Sequence, residues 1–188
     1  MSTTDLEGCV PQMGRNSREP MEAARLSPQI WDAPDLEALL AEKSASVLVV
    51  NDLQRADLPE VAWSGDAAHL RSINGKLLAV ARGEADYLAV RAPDGAPLAI
   101  GLIDYLFGAD AAEIGQLAVQ PQLQGMGLGT HLIDAAEARI FARGKQWAVM
   151  GVEIGHERAR KLYERLGYIQ YARKPDSWYE DDGQGGVR

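Results

Sequence analysis

Gln124, Gly125, Met126, Gly127, Leu128, Gly129 and Thr130 put three glycines at alternate positions immediately before a helical pattern. That spacing suits phosphate. Glycine lets backbone N–H groups approach an anion closely, and the start of the following helix directs its positive dipole end to the same point. Two common glycine-loop motifs do not fit. A nucleoside-triphosphatase loop needs Gly-Lys-Ser/Thr, whereas this chain has Leu128-Gly129-Thr130 and so no lysine to reach the phosphates. A dinucleotide fingerprint needs glycine three places after Gly127, where Thr130 stands.

A second segment carries chemistry of a different kind. The apolar run Trp147 to Ile154 reads as a strand, and His156 to Leu166 follows with Ala159, Leu162, Tyr163 and Leu166 at helical spacing before Gly167 stops the helix. An aromatic on such a face is usually core, so Tyr163 has a structural reading beside any functional one. Ahead of the glycine loop, Glu113 to Val119 alternates as a strand.

The spacing Gln124-x-x-Gly127-x-Gly129, with Ala159-Arg-Lys-Leu-Tyr-Glu-Arg-Leu-Gly-Tyr168, resembles the two signatures of the GNAT superfamily of N-acetyltransferases. The resemblance covers roughly Ser46 to Lys174. It implies an acyl-CoA N-acyltransferase fold of α/β (α+β) class, with a mixed, mostly antiparallel sheet of six to seven strands flanked by four helices. It implies acetyl-coenzyme A as cosubstrate, with Gln124 to Thr130 around its pyrophosphate, Leu117, Ala118 and Val119 along its pantetheine arm, and Tyr163 beside its sulfur. Glu113 matches the glutamate base of the superfamily's histone acetyltransferases, although a strand-end carboxylate is an equal reading. At position 156 the superfamily most often has an asparagine that contacts the coenzyme arm. His156 would cap the helix, donate one hydrogen bond, or stand in solvent without a role.

The chemistry asked of these residues follows from amide formation. A primary amine is about 99.9% protonated at pH 7, so a base, or water relayed by one, must remove a proton before attack on a thioester. Glu113 is the candidate base and Tyr163 the candidate acid for the departing thiolate. A strand N–H near Leu117 to Val119 would donate to the oxygen that becomes negative in between.

The elements that position these residues are read from periodicity. Ser46 to Val50 begins the domain, and Asp57 starts a helix. Asp66 caps a second helix with Leu70, Ile73, Leu77 and Val80 on one face, ending near Gly83. Tyr87 to Arg91 and Leu98 to Tyr105 form a hairpin about Asp94-Gly95. The glycine loop, its helix, a fifth strand, the last helix and Tyr168 to Ala172 complete the order βααβββαβαβ. A seventh strand, usual in the superfamily, has no sequence to form it in Asp181 to Arg188; a shortened end or a neighbouring chain, and hence a homodimer, would account for that. Residues 1–44 form an extension with Pro11, Pro20, Pro28 and Pro34, expected to be disordered at its start with a short amphipathic helix over 35–43, and 45–188 form the domain.

Composition sets bounds. The 188 residues, 46% hydrophobic, suit one soluble globular domain, with no membrane span and no secretory leader, so a cytoplasmic location is expected. Cys9 is the only cysteine and the three histidines are scattered, which argues against a metal site. The net charge is −8, but Arg139 to Lys174 has nine Lys/Arg against three Glu, while Ala45 to Ala138 has five against twelve acids. Lys145, Arg158, Arg160 and Lys161 would serve the coenzyme phosphates, unless they are solvated helix faces. The acidic stretch, which holds the expected acceptor pocket, suits a cationic amine; Trp63, Tyr105 and Phe107 could line that pocket, although core or packing is the more usual place for each. Nucleic acid is a poor partner for so acidic a chain. The alternative to an enzyme is an acyl-coenzyme A sensor or inactive paralogue that acts through a partner.

Overall fold

A computed structural model describes residues 9–16, 48–153 and 155–175. The chain forms two compact units, one of residues 16–148 and one of residues 1–15 with 149–188.

In the larger unit β2 (Val49–Asp52), β3 (Ala85–Arg91), β4 (Pro97–Asp104) and β5 (Ala111–Val119) lie side by side, each antiparallel to the next. Helix α1 (Ala67–Ala81) precedes β3, and α2 (Leu128–Ala142) follows β5. The Asp66 carboxylate accepts the His69 N–H at 2.8 Å, which fixes the start of α1 as expected. Its apolar stripe buries Ile73 against Leu53, Val61, Tyr87, Ala89, Ile100 and Leu102, with Leu70, Leu77 and Val80 packed at the margin. On the other sheet face α2 buries Leu128, Leu132, Ile133, Ala136 and Ile140. Each such side chain removed from water contributes roughly 1.5–3 kcal/mol. The Asp-Gly hairpin is present: Gly95 has φ +92°, and the Asp94 carboxylate accepts the Ala96 N–H at 3.1 Å.

Two expectations need correction here. The helix expected at Asp57 is a pair of 3-10 turns, Arg55–Asp57 and Ala62–Ser64. Pro59 has no N–H to extend a helix, and the Asp57 carboxylate is already engaged by the Gln54 N–H at 2.7 Å and by Arg91. The first domain strand, expected over Ser46 to Val50, is described from Val49 and runs on to Asp52, where it pairs with β3 and Arg91 reaches across to Asn51 Oδ1 at 2.6 Å and to the Asp52 carbonyl at 3.3 Å; Ser46 and Val47 lie outside the described residues. Two residues of low strand propensity are thus held extended by a cross-strand arginine.

The smaller unit holds α3 (Glu157–Arg165), β7 (Ile169–Pro175), the end of β6 (Trp147–Gly151), and β1 (Cys9–Asn16). β1 lies between β6 and β7 and runs antiparallel to β7, with Cys9 opposite Pro175 and Gly14 opposite Ile169. The start of the chain, expected to be disordered, therefore supplies a strand. The expected helix over 35–43 lies outside the described residues. Among the described residues there are seven strands and three α-helices, a mixed α/β fold with mostly antiparallel pairing, against the six to seven strands and four helices expected. No helix among them is long and apolar enough to cross a membrane.

Candidate active site

The glycine loop takes the form its sequence demands. Gly125 and Gly127 have φ +89° and +84°, left-handed values that a side chain would strain, and Gly127 is the N-cap of α2. The first helical bond runs from His131 N–H to the Gly127 carbonyl at 3.0 Å, so the N–H groups of Leu128, Gly129 and Thr130 have no acceptor within the helix. Leu128 is itself buried in the core, so its side chain anchors the loop and only its backbone can face a ligand. Gln124 is exposed, and its amide donates to the Val119 carbonyl at 3.4 Å, tying the loop back to β5. Loop and strand are thus brought together around one helix start.

β5 is bent just before that point. Gly101 of β4 faces two residues of β5, Gln116 and Leu117, since Ile100 pairs with Ala118 and Leu102 with Gly115. Gln116 has φ +48°, the one described residue other than glycine with positive φ. Its side chain is held at both ends: Oε1 accepts from the Tyr87 hydroxyl at 3.1 Å, and Nε2 donates to Ser72 Oγ of α1 at 2.8 Å. A Cβ on Gly101 would meet Leu117 Cδ1 at 3.1 Å and Leu132 Cδ2 at 3.2 Å, so Gly101 makes room for Leu117 to turn toward α2. Sequence periodicity gave no hint of this bulge, although a glycine inside a strand is the type of residue that accompanies one.

Glu113 lies three residues before Gln116, half-buried and directly opposite Asp104. Lys76 of α1 donates to Asp104 Oδ2 at 3.0 Å, so one ammonium and two carboxylates gather at this end of the β4–β5 pair.

Tyr163 and His156 belong to the smaller unit. Tyr163 is 7% exposed, and burial pushes its phenol above the ordinary value. Its ring lies 6.1 Å from that of Tyr168, and its carbonyl accepts the Tyr168 N–H at 2.9 Å. His156 occupies the N-cap position of α3 without capping it; its side chain is 70% exposed, with Nε2 3.9 Å from Glu153.

The expected basic field is largely engaged elsewhere. Lys145 donates to the Gly108 and Ala109 carbonyls at 2.7 and 3.0 Å. Arg160 and Lys161 pair with Glu157 on their own helix, and Arg160 also with Glu164. Arg139 pairs with Asp52 and Asp86, and Arg143 donates to Asp86 Oδ1 at 3.1 Å while stacking 3.9 Å over the Tyr105 ring. The Tyr105 hydroxyl donates to Asp86 Oδ2 at 2.7 Å, and burial, then this bond, raises its pKa. Tyr105 and Trp63 are therefore packing residues, the latter against the core under α1.

A glycine cradle at a helix start, a bulged strand leading into it, and a mostly antiparallel sheet define an acyl-CoA N-acyltransferase fold. Residues 39–168 match the family model described as Acetyltransferase (GNAT) family, and the chain belongs to that family. It is 37% identical over 60 residues to N-alpha-acetyltransferase 30 of Schizosaccharomyces pombe, a match that spans 32% of this chain and only 40% of that protein. Among solved structures it is similar to an acetyltransferase of the GNAT family from Novosphingobium aromaticivorans, with a TM-score of 0.55 and 19% identity over 88% of this chain and 61% of that one. It is also similar to AAC(6')-Iy in complex with the bisubstrate analogue CoA-S-monomethyl-acetylneamine, with a TM-score of 0.57 and 15% identity over 69% of this chain and 95% of that one.

Proposed function

We propose that this chain transfers an acetyl group from acetyl-coenzyme A to a primary amine by direct attack. The observation that carries the reading is the pair of left-handed glycines, Gly125 and Gly127, at the start of α2 in a chain of this family. In the reaction the backbone N–H groups of Gly125 and of Gly127 to Thr130 bind the pyrophosphate, with Gln124 and Met126 at the loop's edge. Leu117, Ala118 and Val119 take the pantetheine arm as a strand takes a partner, and one of their N–H groups receives the oxyanion. The amine loses its proton to Glu113, directly or through water, and its nitrogen attacks the thioester carbon. The tetrahedral intermediate collapses with loss of the thiolate, which takes a proton from Tyr163; the nitrogen gives up its second proton, through water, to the resulting phenolate, leaving a neutral amide and tyrosine while Glu113 returns its proton to solvent. The phenol is protonated at neutral pH, so it has a proton to give when the thiolate forms. His156, exposed at the start of α3, is the proposed contact to the arm in place of the superfamily's usual asparagine.

The acceptor is proposed to be cationic, on narrower grounds than net charge. Asp52, Asp57, Glu84, Asp86 and Asp104 already hold arginine or lysine partners. Near the bulge, Asp104 and Glu113 face each other across β4 and β5 with Lys76 on Asp104, so carboxylates outnumber cations at this end of the strand pair. The family match does not favour the alternative of an acyl-coenzyme A sensor or inactive paralogue. Thiol release from acetyl-coenzyme A over a panel of polyamines, aminosugars and lysine peptides tests the proposal. Release with at least one amine, falling at least tenfold in Glu113→Gln, is expected; release with none of them would refute it.

A further inference from the structure

β1 reaches its place from the far end of the sequence. No hairpin joins it to β6 or β7, yet it lies between them and pairs with β7 over six register positions from Cys9↔Pro175 to Gly14↔Ile169. Two features weaken this pairing at its middle. Pro11, opposite Arg173, has no N–H to give a ladder. One residue later the register breaks between Gln12 and Met13, with Tyr171 as the extra residue of β7. Proline and a bulge in adjacent positions are tolerated at sheet edges and costly inside, so a strand flanked on both sides is here unusually poor in ladder bonds.

What β1 holds is connected to the chemistry. β7 begins directly after Tyr168, which is 2% exposed, and Tyr168 is bonded to and packed on Tyr163. We propose that the slot between β6 and β7 is a strand-binding site whose occupant is the chain's own Cys9–Asn16, and that this occupant is releasable, its departure loosening β7 and, through Tyr168, the seat of Tyr163. Release leaves two unpaired strand edges facing each other, which an extended peptide of matching register refills by main-chain hydrogen bonds. The consequence for turnover rests on the reading of Tyr163 as the acid; the slot itself does not.

The test uses the full chain with Pro175→Cys, in which Cys9 is the only other cysteine. Directly opposed Cα atoms of an antiparallel pair lie about 4.5–5.5 Å apart, within disulfide range. Mild oxidation is expected to consume both thiols within one chain and leave a monomer with full turnover, whereas Ala172→Cys, opposite Gln12, links much less. A disulfide between two chains would overturn the assignment of the occupant, and no disulfide would overturn the pairing. A second variant, Gln12→Pro, removes a further ladder N–H. Expected are faster hydrogen exchange at Ile169 to Ala172, a turnover at least tenfold lower with acetyl-coenzyme A affinity within threefold, and recovery on addition of a synthetic peptide of residues 9–16. Faster exchange with unchanged turnover would refute the link to Tyr163. Should Tyr163→Phe itself leave turnover unchanged, the acid reading fails and the cross-link alone judges the slot.

Discussion

Replacement of Gln116 inverts an ordinary rule of strand stability. Glycine within a strand is normally worse than alanine by about 0.5–1 kcal/mol. At φ +48° an L-residue carries a penalty of roughly 1–2 kcal/mol that glycine escapes. Both Gln116→Ala and Gln116→Gly lose the bonds to Tyr87 and Ser72, and both leave the buried Tyr87 hydroxyl without its acceptor. That loss is worth about 2–3 kcal/mol and is common to both variants, so it cancels from their difference. Relief of strain, less the ordinary glycine penalty, makes Gln116→Gly more stable than Gln116→Ala by about 0.5–1 kcal/mol. Urea unfolding at unchanged m-value measures the difference directly. A glycine variant equal to or less stable than the alanine variant would refute the claim that side-chain bonds hold a strained backbone at this bulge.

Further outcomes follow from the site and its surroundings. Tyr163→Phe is expected to lower kcat about 10²-fold with acetyl-coenzyme A affinity unchanged by calorimetry; equal loss of both would make Tyr163 a packing residue. Arg143→Ala should cost about 1 kcal/mol of stability in urea yet leave coenzyme affinity within twofold, because the guanidinium is engaged by Asp86, the Gly83 carbonyl and the Tyr105 ring. Burial raises the phenols of Tyr87, Tyr105 and Tyr163, so above about pH 10 the unfolded chain releases protons that the native one keeps. Stability from these groups is complete below that pH and falls as pH rises. Phenolate absorbance of at least three of the six tyrosines should accordingly appear only together with loss of circular dichroism.

Much of this was legible in the sequence, for identifiable reasons. The stripe Leu70, Ile73, Leu77 and Val80 behind Asp66 gave α1, and Asp94-Gly95 gave the hairpin, because periodicity and turn chemistry are local. The glycine loop was equally plain, since backbone demands select the residue type. What escaped depends on partners distant in the chain. Asn51 and Asp52 are held extended by pairing with Ala89 and Leu88 and by Arg91, some 40 residues on. Pro11 argues against a strand in any local reading, and it is β6 and β7, near the other end of the sequence, that make 9–16 one. Net charge along the sequence does not reveal pairing, such as that of Arg139 and Arg143 with Asp52 and Asp86. Gln116 was passed over since nothing in its neighbours marks a positive φ.

The most direct measurement is a calorimetric titration of acetyl-coenzyme A, with ATP and NAD in parallel, into the wild-type chain and Gly127→Val. Valine at φ +84° is excluded by its own branching, so the variant must rebuild the cradle. The account predicts micromolar binding of acetyl-coenzyme A alone to the wild type, and its loss in a variant that keeps native circular dichroism. Undiminished affinity in Gly127→Val, or ATP and NAD binding as tightly as the coenzyme, would contradict it.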